Sequence, residues 1–160
     1  MEYIKLNINH ALSKGEKVLI ANKNWQEVVN HNYELTNRTV ASLLESEEQH
    51  KPNNQLDAEE REDIMKFFIE FDFSDIHTRQ CVFQPKYKED STKSACISAM
   101  QAIIRNGEID LHVFVRSQNF DSNFMYDNVT YALVINSLAK KLNVKISKVH
   151  VKIVSLHRLI

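Results

Sequence analysis

Residues 96–116, CISAMQAIIRNGEIDLHVFVR, decide the fold. Two extended runs, 96–104 and 109–116, flank Arg105-Asn106-Gly107-Glu108. Asn-Gly between alternating segments is the strongest short-range hairpin signal, because both turn residues must take positive φ. With a two-residue loop, Arg105 pairs with Glu108 and Ile104 with Ile109. Carried outward without a bulge, the count sets Cys96 opposite Ser117 and beside Arg116. A guanidinium beside a thiol stabilises the thiolate, as a nucleophilic cysteine requires. An arginine beside a serine hydroxyl also suits an anion. The same spacing equally describes a half-buried cysteine at a strand end beside a solvated arginine.

The surrounding sequence extends this hairpin into an α+β pattern with an antiparallel or mixed sheet. Residues 79–84 read as a short strand, followed by a polar loop over 85–94. A helix is expected over about 126–142, with Val129, Ala132, Leu133 and Ala139 along one face. The chain closes on an alternating strand, Val149, Val151 and Ile153 inward and Lys148, His150 and Lys152 outward. The first 74 residues read as helical and irregular. Trp25, Val28, Val29 and Tyr33 fall at helical spacing, as do Val40, Leu43 and Leu44. Lys51-Pro52-Asn53-Asn54 marks a turn. Asp57 then caps a helix with Ile64, Phe67, Phe68 and Phe71 on its apolar face. That aromatic cluster reads as core rather than as a cofactor box.

Composition bounds the function. The chain has 160 residues, 43% hydrophobic and 26% charged, with a net charge of −1. One domain accommodates that length. Near-neutral charge argues against a general nucleic-acid binder. Only two glycines and two prolines occur, where average usage gives roughly eleven and eight. Phosphate-cradling glycine loops need several glycines at fixed spacing and are excluded. Cys81 and Cys96 make neither a disulfide framework nor a metal knuckle, and the seven histidines show no metal-ligand spacing. No signal-like or membrane-spanning apolar run is found, so the expectation is a reduced, cytoplasmic protein with neither membrane nor nucleic acid as partner.

Five segments carry a resemblance. Thr78-Arg79-Gln80 leads a strand, and Ala95-Cys96 leads into the Asn106-Gly107 hairpin. Arg116-Ser117-Gln118-Asn119 begins 20 residues after Cys96. Asp127 opens a helix through Tyr131-Ala132-Leu133 to Lys141. Ser155-Leu156-His157 follows, with His157 30 residues after Asp127. In this order and spacing, over about residues 78–160, the chain resembles the thymidylate synthase family, which includes the pyrimidine-nucleotide hydroxymethylases. The resemblance implies one domain over 1–160 with a bent sheet and packed helices, residues 1–74 being divergent. It also implies a homodimer formed through the sheet.

The implied chemistry is C5 hydroxymethyl or methyl transfer to dCMP or dUMP. A cysteine thiolate adds to C6, and C5 attacks the methylene group of 5,10-methylenetetrahydrofolate. Cys96 is then the nucleophile. Arg116 and Ser117 hold the 5′-phosphate, Arg79 reaches the phosphate of the other subunit, and His157 contacts the ribose 3′-hydroxyl or helps order the site. Asn119 stands where an aspartate usually helps bind the pterin. Asp127 replaces the asparagine of thymidylate synthases, as in cytidylate hydroxymethylases, and implies a cytosine base. Read by itself, Asp127 is an ordinary acid in a helical first turn. The departures concentrate on the folate side: Leu159 replaces a tyrosine, Trp25 lies in unmatched surroundings, no general-base glutamate is recognisable, and the chain stops at Ile160. The alternative is therefore a non-catalytic nucleotide-binding or interaction protein that retains the fold.

Overall fold

A computed structural model describes residues 2–20, 23–85 and 96–160. In chain order the elements are α1 (Glu2–Ser13), β1 (Glu16–Ile20), β2 (Lys23–Thr36), α2 (Asn37–Glu45), α3 (Gln55–Glu70), β3 (Val82–Phe83), β4 (Ile97–Arg105), β5 (Glu108–Asn119), α4 (Phe124–Leu142) and β6 (Lys145–Leu159), with a 3-10 turn at Glu47–Gln49. The strands form one mixed sheet, ordered β1-β2-β6-β5-β4-β3. Among the described residues only β5 and β6 run parallel, joined by α4 as a crossover helix; the other neighbours are antiparallel. No helix among the described residues is long and apolar enough to cross a membrane.

The Asn-Gly hairpin forms as read, with Asn106 at φ 52° and Gly107 at φ 76° and Arg105 paired with Glu108. α4 spans the expected helix and ends on Asn143 in the left-handed conformation. Its buried face, including Val129, Ala132, Ile135 and Leu138, packs on the sheet's core side. α3 is capped by Asn54, whose side chain accepts from the Asp57 N–H, so Asp57 occupies the first turn rather than the cap. Ile64 and Phe68 are buried on its inner face.

The amino-terminal reading is corrected. Residues 23–36 are a long strand, not a helix: β2 pairs with β6 from Trp25–Leu159 to Thr36–Lys148. Trp25, Val28, Val29 and Tyr33 suit a pleated, half-buried surface as well as they suit helical spacing. Pairing with β6 along nearly its whole length, and with β1 over Lys23–Glu27, decides the conformation. The strand expected over 79–84 contracts to Val82–Phe83. The loop expected over 85–94, and Ala95, fall largely outside the described residues.

One irregularity positions the site. Along β6 the buried residues are Val149, Val151 and Ile153, and then Leu156. Along β5 they are Ile109, Leu111, Val113 and Val115, and then Gln118. The two-residue period therefore slips by one on both strands at the same level. At that level β4 is bulged between Ile97 and Ala99, and Asn30 of β2 takes φ 57°. Ile97, Val115, Ile153 and His31 are linked by ladder pairs, so the irregularities form a row across four strands. Such bulges bend a strand and re-aim side chains. Beyond the row, Gln118 turns under the first turn of α4.

Candidate active site around Cys96

The bulge moves the predicted register by one residue. Ile97 pairs with Val115 rather than Arg116, and the Arg116 N–H donates to the Cys96 carbonyl at 2.8 Å. Cys96 therefore faces Arg116 across the hairpin, not Ser117, because the extra residue at Ser98 absorbs one step of the count.

Helix α3 is fastened against α4 beside this thiol. Arg61 Nε donates to Thr130 Oγ1 at 2.8 Å and Nη2 to the Tyr126 carbonyl at 3.0 Å. Its guanidinium lies 3.7 Å from the centre of the Tyr126 ring. Tyr126 Oη donates to the Asp57 carbonyl at 3.0 Å. These contacts set Asp57 and Glu60 next to Cys96 and Asp127. Glu60 is partly buried, receives a hydrogen bond from the Ile97 backbone, and is pushed up to about 7 by burial first and the Asp57 charge second. The Asp127 carboxyl is raised well above its ordinary range by burial, then by Glu60. Gln118, 1% exposed, donates through Nε2 to Asp127 Oδ2 at 2.6 Å.

The expected activation of the thiol by Arg116 is corrected. Arg116 does pull the Cys96 thiol down, but burial and the carboxyls of Asp127 and Glu60 outweigh it and push the thiol up to about 11. Cys81, fully buried, is pushed up further, to about 12. Of the two, Cys96 is the more exposed and the closer to charge partners.

The other sequence candidates lie apart. Ser117 and Asn119 alternate with Gln118 and face the opposite side of β5, directly across from Ser155 and His157. There Ser155 donates to Glu27, Trp25 packs edge-on against His157 with ring centres 4.9 Å apart, and Asn119 Oδ1 accepts from the Asp121 N–H at 3.0 Å. Burial lowers the His157 imidazole below its ordinary range. Arg79 is not near Cys96 in its own chain: its carbonyl is bonded by Gln101, and neighbouring Cys81 bonds Ala102. That places it toward the hairpin turn, roughly 20 Å along β4 from Cys96 at about 3.3 Å per residue.

The sequence reading missed Glu60 and Gln118. Nothing in the run Glu59-Glu60-Arg61-Glu62 singles out one acid, and Gln118 was a filler between motif residues. Among the described residues, three buried side-chain atoms have no hydrogen-bond partner: Glu60 Oε1, Gln118 Oε1 and Tyr131 Oη. All three belong to this cluster, since the charges of Asp127, Glu60 and Cys96 act on Tyr131. Buried polar atoms without a protein partner are uncommon, and each of the three retains unused hydrogen-bonding capacity. No family model and no curated protein matches this chain.

Proposed function

We propose that the cluster binds a pyrimidine nucleotide monophosphate, dCMP or dUMP, and that Cys96 adds to C6 of its base. The supporting observation is the convergence of a partly exposed thiol, an arginine and two carboxyls of raised pKa with three unpartnered buried polar atoms. In the addition, the thiol proton passes to Glu60, the S–C6 bond forms, and the C5–C6 π pair moves to C5. C5 takes a proton, loses its original hydrogen to the same base, and the thiolate leaves. A carboxyl titrating near 7 is suited to both transfers. The thymidylate synthase-like fold belongs to this reading, supported by motif order and by the crossover of β5, α4 and β6.

The residues present do not fit methylenetetrahydrofolate. Asn119, at the expected pterin position, is committed to its own turn, and apolar Leu159 is half exposed. Chemistry is therefore confined to the nucleotide. Release of tritium from C5-tritiated dCMP or dUMP without folate tests it. Binding without release leaves the non-catalytic alternative, and neither binding nor release overturns the reading.

Arg116 is the phosphate contact in this reading. Arg116→Ala should weaken dCMP binding by about 1.5–3 kcal/mol, the value of a charge-assisted hydrogen bond. Arg105 sits at the hairpin turn, bonded to the Ile104 carbonyl, and Arg105→Ala should leave affinity unchanged. Equal losses in calorimetric titrations would put the phosphate elsewhere.

A second copy of the chain completes the reading. The sheet face away from the helices carries Val29, Phe114 and Val154 at 61%, 43% and 50% exposure. A twofold partner covering this face is the homodimer that the resemblance implies. Sedimentation at micromolar concentration should give a two-chain species, and a monomer there would refute it.

A further inference from the structure

Gln118 is enclosed but only half satisfied. Its Nε2 is committed to Asp127 Oδ2 at 2.6 Å, while Oε1 has no partner. An amide whose nitrogen is held by a carboxyl presents its oxygen in the other direction, and that oxygen only accepts. The arrangement also fixes Asp127. With Oδ2 accepting from Gln118, the remaining oxygen, Oδ1, is the one left to meet a ligand. Burial first, and then the neighbouring carboxyls of Glu60 and Asp57, favour the neutral acid, and a proton on Oδ1 makes that oxygen a donor. Gln118 and Asp127, joined by that bond, thus offer one acceptor and one donor.

Cytosine has the complementary edge, a 4-amino donor beside the N3 acceptor. Uracil has the reverse, an O4 acceptor beside an N3–H donor, and clashes with the pair at both positions. We propose that Gln118, through Oε1, accepts a hydrogen bond from the 4-amino group of a cytosine nucleotide while Asp127 meets N3. Gln118 is then a specificity-determining residue, supplied by β5 at the point where the bend re-aims the strand. The inference rests on the pyrimidine-nucleotide reading above. It adds the residue that chooses the base.

The test removes the interaction from each side in turn. Wild-type protein and Gln118→Met are titrated calorimetrically with dCMP, dUMP and the pyrimidin-2-one deoxynucleotide, which lacks the 4-amino group. Wild type should bind dCMP about 10- to 100-fold more tightly than the pyrimidin-2-one analogue, the usual result when a buried acceptor loses its donor. In Gln118→Met the two affinities should fall within about threefold of each other. A wild type that binds dCMP and the analogue equally overturns the inference while leaving nucleotide binding intact. So does a Gln118→Met variant that keeps the full preference. A wild type that binds no nucleotide overturns both. Should Gln118→Met fail to fold, the wild type decides alone: dCMP labelled with 15N in its amino group should show a nuclear Overhauser contact to the Gln118 side-chain amide. Absence of that contact in a saturated complex refutes the assignment.

Discussion

Cys96→Ser should abolish C5 tritium release from dCMP, lowering it on the order of 10³-fold or more, as loss of a covalent nucleophile does. The fold should survive, because Cys96 is partly exposed at a strand end and serine is close to it in size. The thiol is pushed up to about 11 by burial first and by its carboxyl neighbours second, so the free protein should react slowly with iodoacetamide at pH 7, and faster as pH rises. Cys96 should still be labelled before Cys81, which is fully buried and held near 12. Bound dCMP should protect it. Mass spectrometry of the alkylated protein reads all three expectations, and preferential labelling of Cys81 would sink the assignment.

Glu60→Gln should reduce the pH dependence of stability above pH 4.5. The folded protein holds the Glu60 carboxyl at about 7, against an ordinary 4.5. Between those values the folded state binds a proton that the unfolded state has released. Stability from this group is therefore complete below about pH 4.5 and is lost as pH rises through about 7. At about 1.36 kcal/mol per unit, and with some allowance for partial exposure, the loss is about 2–3 kcal/mol. Asp127, raised for the same reason, acts in the same direction. His31, His112 and His157, all lowered by burial, act in the opposite direction below pH 6.5. Comparing wild type with Glu60→Gln cancels the histidine contributions, while the Asp127 carboxyl, relieved of the Glu60 charge, shifts down and adds to the same difference. In urea melts the variant should match wild type at pH 4.5 and exceed it by about 2–3 kcal/mol at pH 8. A constant difference between the two proteins across that range would show that Glu60 does not titrate as described.

The second half of the chain was legible because its signals are local. Asn106-Gly107 fixes its own turn, and the alternation of Val149, Val151 and Ile153 fixes which face of β6 is inward. The helix after Asn123 announces itself by its apolar face and ends where Asn143 can take a left-handed conformation. Residues 23–36 were not legible. Their apolar spacing fits a helix or a strand, and β6, more than a hundred residues later, supplies the hydrogen bonds that choose the strand.

The candidate site divides in the same way. By itself the sequence determined that Cys96 and Arg116 end up beside one another, since a hairpin register propagates from its turn, and that Asp127 opens the helix that follows. Tertiary structure alone decided which residue of β5 faces Cys96, because one bulged residue at Ser98 shifts the pairing in a way no turn can announce. It also chose Glu60 from a run of similar acids, by clamping α3 on α4 through Arg61. Finally, it turned Gln118 under Asp127 and left Ser117, Asn119 and His157 on the other face. Each of these outcomes depends on contacts between segments distant in the chain, where packing and burial set the geometry and the charge state together.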